Sequence, residues 1–136
     1  MNISSISKKI VVAGTLIIWT IKYIIRPNYV TAEPLKFLLG ISPNFIGSFL
    51  IPFGACWFFG NKNHLLARAF QINSSNELKK VCLTGMGMLI INEYLQQIPF
   101  FGRTFDYFDM LFSAIGLFIS YLVFAKMQKE VKKQYV

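Results

Sequence analysis

The chain has 136 residues, 54% of them hydrophobic, with a mean hydropathy of +0.50 and a net charge of +8. A soluble domain of this length exposes far more charge, whereas here the apolar residues fall into blocks of roughly 16–23, near the ~20 that cross a bilayer as a helix. The basic residues form neither one face nor a nucleic-acid-binding motif, which excludes nucleic acid as the reason for the charge. They gather at the ends of the apolar blocks, as membrane topology demands. The expectation is a single all-α integral membrane domain: a bundle of four transmembrane helices at about 8–26, 43–60, 76–98 and 106–126, with a short interfacial helix between the first two.

Lys8 and Lys9 precede a first apolar run that only Lys22 interrupts. A basic start and an apolar core also describe a signal peptide, but Arg26, Pro27, Asn28 and Tyr29 follow where a small-x-small cleavage site belongs. The helix is therefore read as retained, with Lys22 near its end and able to snorkel its ammonium to the interface. Pro27 is expected to end it. Residues 31–40 carry a proline near their start and a glycine at their end, the asymmetry of a short helix, here lying along the membrane surface.

Helix 2 is expected to begin at Ser42-Pro43-Asn44, with Ser42 as cap and Pro43 in the first turn, where it has no useful N–H to lose. Pro52 should kink it and strand a backbone carbonyl, with Ser48 at hand to help satisfy the freed backbone. Residues 61–80 form the longest polar stretch; its lone histidine, His64, reads as solvated surface. Cys56 and Cys82 make neither a disulfide framework nor a metal-ligand spacing. Ser74 and Glu77 form a capping box at the start of helix 3, and Pro99 stops that helix. Gly85 within it favours close helix contact in lipid. The tail at 126–133 is basic, suited to anionic headgroups.

Ten Lys and Arg residues lie at the N-terminus, the middle loop and the C-terminus; four (Lys22, Arg26, Lys36 and Arg103) lie on the other side. The positive-inside rule then puts both termini in the cytoplasm and the loop around 99–105 outside.

That outer end holds the one dense polar cluster. Glu93 and Gln96 are three apart near the end of helix 3, and Asp106, Asp109, Ser113, Gly116 and Ser120 recur at three or four residues on helix 4. Short-loop helices pack antiparallel, which places Glu93 and Gln96 opposite Asp109 and Ser113, with Arg103 above them. Three acids against one arginine leave two uncompensated negative charges, so the cluster must share protons, bind a cation or open to water. Asp106 doubles as a helix cap, Asp109 lies deeper, and Glu93 stands at a helix C-terminus, where acids are disfavoured. The ligand-binding candidates are Glu93, Gln96, Arg103, Asp106, Asp109 and Ser113; Gly85, Gly116 and Ser120 are read as helix-packing residues, the Ser113–Gly116–Ser120 stripe letting helices 3 and 4 approach.

Glu93-x-x-Gln96, Pro99, Arg103 and Asp106-x-x-Asp109-x-x-x-Ser113-x-x-Gly116 resemble the signature of VanZ-like membrane proteins, an E-x-x-Q helix end, a P-G-R-like loop and a D-x-x-x-N-x-x-G helix start. The chain departs from it at Ser113, where the family usually has asparagine. The resemblance implies a multi-pass protein of the bacterial cytoplasmic membrane, in some members linked to resistance to teicoplanin-type glycopeptides, and no accepted reaction. A first reading is an envelope protein that binds an amphiphilic antibiotic or a lipid-linked cell-wall precursor. A second is an enzyme on a lipid-linked substrate, with Glu93 or Asp109 as general acid or base, since paired carboxylates split their pKa values. Against the enzyme, there is no activated Ser, Cys or His and no metal-ligand set beyond acids and amides; no cofactor is implied. A third is a transporter subunit, which at this length requires a homo-oligomer. A fourth is purely structural.

Overall fold

The structure, a computed structural model, describes residues 2–29, 32–96, 98 and 106–134. Among these the chain is helical, with no strand. The first helix, α1 (Ile3–Thr20), starts earlier than the apolar run because Asn2 Oδ1 accepts the Ser4 N–H at 3.0 Å. It continues through a π-helical segment, Ile21–Ile25, into α2 (Arg26–Tyr29). Pro27 therefore does not end the helix. The wider turn before it, closed by the Arg26 N–H on Ile21 O, relieves the clash a proline ring makes in a regular helix.

The second apolar stretch is α3 (Glu33–Phe49) followed by α4 (Ile51–Phe59). Two expectations are corrected here. Residues 33–40 are the first turns of α3 rather than a separate interfacial helix, and Pro43 lies inside α3 rather than at its start. Pro34 takes the first-turn position instead, and Ser42 turns its hydroxyl back onto Leu38 O at 2.6 Å. In lipid a broken backbone bond has no water to turn to, which favours carrying the helix through a proline. Pro52, in contrast, does interrupt: the turn at Leu50 divides α3 from α4, and Pro52 occupies the first turn of the new helix.

A six-residue helix, α5 (Leu65–Phe70), capped by His64 Nδ1 accepting the Ala67 N–H, leads to α6 (Ser75–Gln96). The capping box forms: Glu77 accepts the Asn73 and Ser74 N–H groups, and Ser74 Oγ accepts the Glu77 N–H. The last helix, α7 (Tyr107–Gln134), takes in the basic tail. Gln128 near its end is buried and donates to Ile72 O at 3.2 Å, which ties the tail to the chain just before α6. Three helical stretches are long and apolar enough to cross a membrane: Ile3–Asn28, Glu33–Phe59 and Tyr107–Lys133.

Packing directions follow from a few contacts. α1 runs antiparallel to α3 and α4: Gly14 seats against the Leu50 side chain, while Lys8 at the start of α1 stands 6.0 Å from the Trp57 ring near the end of α4. α7 runs parallel to α3 and α4, at a constant offset of 71 positions. Phe37 meets Phe108 edge-on at 5.3 Å, Phe49 O accepts from Ser120 Oγ at 2.5 Å, and Phe53 meets Phe124 at 5.3 Å. These contacts keep α7 in parallel register with α3 and α4 along their length. The same offset carries Lys8-Lys9 onto Lys79-Lys80 and Gly14 onto Gly85 in the sequence, but the two glycines pack differently, Gly14 against Leu50 and Gly85 against Ile51. The core sits towards the end of α4, where Phe53, Leu78, Val81, Cys82, Leu117 and Phe124 pack together.

Gly116 decides how close α7 comes to α3. A Cβ there would run into Phe45 O and Ser48 Oγ, and the backbone oxygen has nowhere to go. Gly116→Ala should therefore cost about 1–3 kcal/mol, as overpacking does. Gly87→Ala meets nothing and should be neutral or stabilising by up to about 1 kcal/mol. Thermal unfolding followed by circular dichroism in detergent checks the pair; equal effects would show that the close approach at Gly116 is not needed.

Candidate functional site

The polar cluster lies at the end of the bundle remote from that core. α6 runs antiparallel to α7: Gln128 meets Ile72 at one end, and Lys79 with Tyr121, then Met86 with Ala114, line one groove further along. Carrying this register on puts Glu93 level with Tyr107, in the turn flanked by Asp106 and Asp109. The start of α3 reaches the same level through Phe37 and Phe108.

Glu93 stands where the buried face of α6 continues, at the helical spacing set by Leu78, Cys82 and Met86. It is 9% exposed, the one buried Asp, Glu, Lys or Arg among the described residues. An isolated carboxylate taken out of water costs several kcal/mol in order of magnitude, so a folded chain keeps one inside only against compensating groups. Gln96 is in the last turn of α6, but its side chain lies outside the described residues, as does Arg103 entirely.

Asp106 is the N-cap of α7: its Oδ1 accepts the Phe108 N–H at 2.8 Å, and its side chain is exposed. Asp109 is half-buried in the first turn. Ser113 is 6% exposed, and Ser120 is fully buried. The stripe of Asp109, Ser113, Gly116 and Ser120 is one face of α7, as its spacing requires. That face, however, packs on α3, whereas α6 lies against the neighbouring face of Ala114, Leu117 and Tyr121. The reason is the interrupted α3–α4 helix. It presents the carbonyl of Phe49 to Ser120, and the backbone at Phe45 and the Ser48 hydroxyl leave room at position 116 for a glycine alone. Gly85 of α6 packs against the Ile51 side chain.

Glu93 and the acids of α7 thus share one level of the bundle while pointing from different interfaces. Between α6 and α7, further from this end, runs an apolar groove of about 490 Å³, walled by Cys82, Leu83, Met86, Leu117, Phe118 and Tyr121. At ~1.5 Å per residue, Met86 lies roughly 10 Å along α6 from Glu93. Among the described residues no three His, Cys, Asp or Glu side chains come together as a metal site.

A second charged group at the same end was not read as a site from the sequence. Lys22, Arg26 and Lys36 converge on one depression, and the available signal was that three of the four cations on the sparsely charged side lie within one short stretch. No family model, curated protein or solved structure matches the chain.

The cap separates the two acids of α7 by experiment. Asp106→Asn should keep the helix start, since Asn caps as well as Asp, whereas Asp106→Ala should cost about 1 kcal/mol. Chemical unfolding of the two variants in detergent measures this; equal losses would mean that the charge rather than the cap matters.

Proposed function

We propose that this chain is a four-span membrane protein that binds an amphiphile at the Glu93 end of the bundle. The parallel course of α3–α4 and α7 supports the fourth crossing. Two parallel spans must be joined by a segment that returns across the same thickness, and α6 is the long helix between them. Its 22 residues measure about 33 Å, against about 30 Å of hydrocarbon. Its polar ends suit the two interfaces, with Lys79 and Lys80 at one and Asn92 and Glu93 at the other.

The observation that carries the ligand reading is the burial of Glu93 on the inward face of α6, level with the acids that open α7. A carboxylate kept at membrane depth is a functional candidate by default. Glu93 and Asp109 are suited to amines, hydroxyls or amides of a headgroup, with Gln96, Arg103 and Ser113 completing the polar set. The groove between α6 and α7 is suited to the acyl chain that a bilayer or an amphiphile supplies. The resemblance to VanZ-like proteins, carried by the Glu93–Gly116 motif, adds the bacterial envelope as the setting. It makes a lipid-linked wall precursor or a teicoplanin-type glycopeptide the ligand to try first.

Two outcomes are expected. Green fluorescent protein fused to either terminus should fluoresce, and alkaline phosphatase inserted between residues 99 and 105 should be active; a silent C-terminal fusion would leave three spans and remove the fourth crossing. In a sensitive bacterium, wild type should raise the teicoplanin concentration tolerated several-fold, and Glu93→Gln or Asp109→Asn at equal membrane levels should abolish the gain. No protection from wild type would sink the glycopeptide assignment, and protection retained by both variants would remove the cluster from it.

A further inference from the structure

The four-span reading puts four basic residues on the side of the membrane where such chains carry few, and three of these four share one pocket. Lys22 comes from the π-helical segment and Arg26 from the turn that follows it. Lys36 comes from the first turns of α3, across the connection between the two spans. With Tyr23 and Pro27 they line a depression of about 430 Å³, within the size range of small-molecule sites. Each cation could reach the interface separately by snorkelling. Instead they converge from two elements and repel one another. Among the described residues Glu33 is the one carboxylate paired with any of them, 3.9 Å from Lys36 with both side chains exposed, an arrangement worth little.

We propose that this pocket binds a phosphate-bearing anion. The Arg26 guanidinium offers a planar fork for two phosphate oxygens, Lys22 and Lys36 add point charges from two sides, and the Tyr23 phenol adds a neutral donor. The ammonium of Lys22 already stands 5.8 Å from the Tyr23 ring centroid, at the rim of the depression. A lipid headgroup and a soluble phosphate share this chemistry. Its lining includes none of the acids Glu93, Asp106 and Asp109, and the proposal does not depend on what Glu93 binds.

Trp19 provides a local reporter, because its ring lies 4.8 Å from that of Tyr23. The full chain carrying Trp57→Phe, which leaves Trp19 as the remaining tryptophan of two, is reconstituted in phosphatidylcholine containing brominated phosphatidylglycerol or brominated phosphatidylcholine. Quenching of Trp19 should show at least about a five-fold preference for phosphatidylglycerol. Replacing Lys22, Arg26 and Lys36 together by Gln should erase it. The same charge loss at Lys129, Lys132 and Lys133, at the opposite end of the bundle, should leave it intact. If the triple variant fails to insert, Lys36→Gln alone, at an exposed position, should lower the preference at least two-fold.

In neutral detergent, a Trp19 response to inorganic phosphate that the site variants lose, without any lipid preference, would assign the pocket to a soluble phosphate. A preference that survives the site variants overturns the proposal. So does equal quenching by both lipids combined with no response to phosphate.

Discussion

The bundle depends on the close approach of α7 to a helix that proline has interrupted. Lipid gives apolar surfaces no reason to prefer each other over acyl chains, so association must come from packing, hydrogen bonds and the need to satisfy backbone groups. The turn at Leu50 leaves helix-end carbonyls on α3, and α7 answers with residues small enough to reach them. Ser120 donates to Phe49 O, and Gly116 lets the backbones close at Phe45 and Ser48. Ser48 itself turns inward and bonds Phe45 O at 2.9 Å, so that this polar seam is satisfied within the protein.

The rest of the arrangement follows from that seam. α1 runs antiparallel to α3–α4, and α6 to α7, as the contacts at Gly14 and Lys8 and at Gln128 show. One end of the bundle then collects the helix starts of α1 and α6 with their lysine pairs, together with the basic tail. The other end collects the close of α1, the opening turns of α3 and α7, and the last turns of α6. Among the described residues, Glu93, Asp106, Asp109 and Ser113 belong to that second end.

Local features were legible in the sequence because their causes are local. The apolar blocks, the Ser74–Glu77 box, the interruption at Pro52 and the capping capacity of Asp106 each depend on residues within a few positions. Pro27 and Pro43 misled for the same reason: a proline reads as a boundary, but a π-helical turn or the cost of an open backbone in lipid can carry a helix past it. The partner of the Ser113–Gly116–Ser120 stripe was not legible. Its spacing shows that a close neighbour is needed, whereas the choice of α3 over α6 rests on carbonyls exposed by a kink some 70 positions away (Phe49 to Ser120). The convergence of Lys22 and Arg26 with Lys36 was not legible for a like reason, since it depends on how α1 closes on α3.

The offset of 71 that keeps α7 in register with α3 and α4 also bears on the charges. It carries Lys22 onto Glu93, and Leu35 and Leu38 onto Asp106 and Asp109. Lys22 and Glu93 are the one such pair of opposite charge, since Lys36 falls on Tyr107 and the two aspartates fall on leucines; even so, the cations Lys22, Arg26 and Lys36 belong to the first hairpin and the acids Glu93, Asp106 and Asp109 to the second. The end of the bundle that these groups share therefore separates charge sideways, from one hairpin to the other, rather than along the helices.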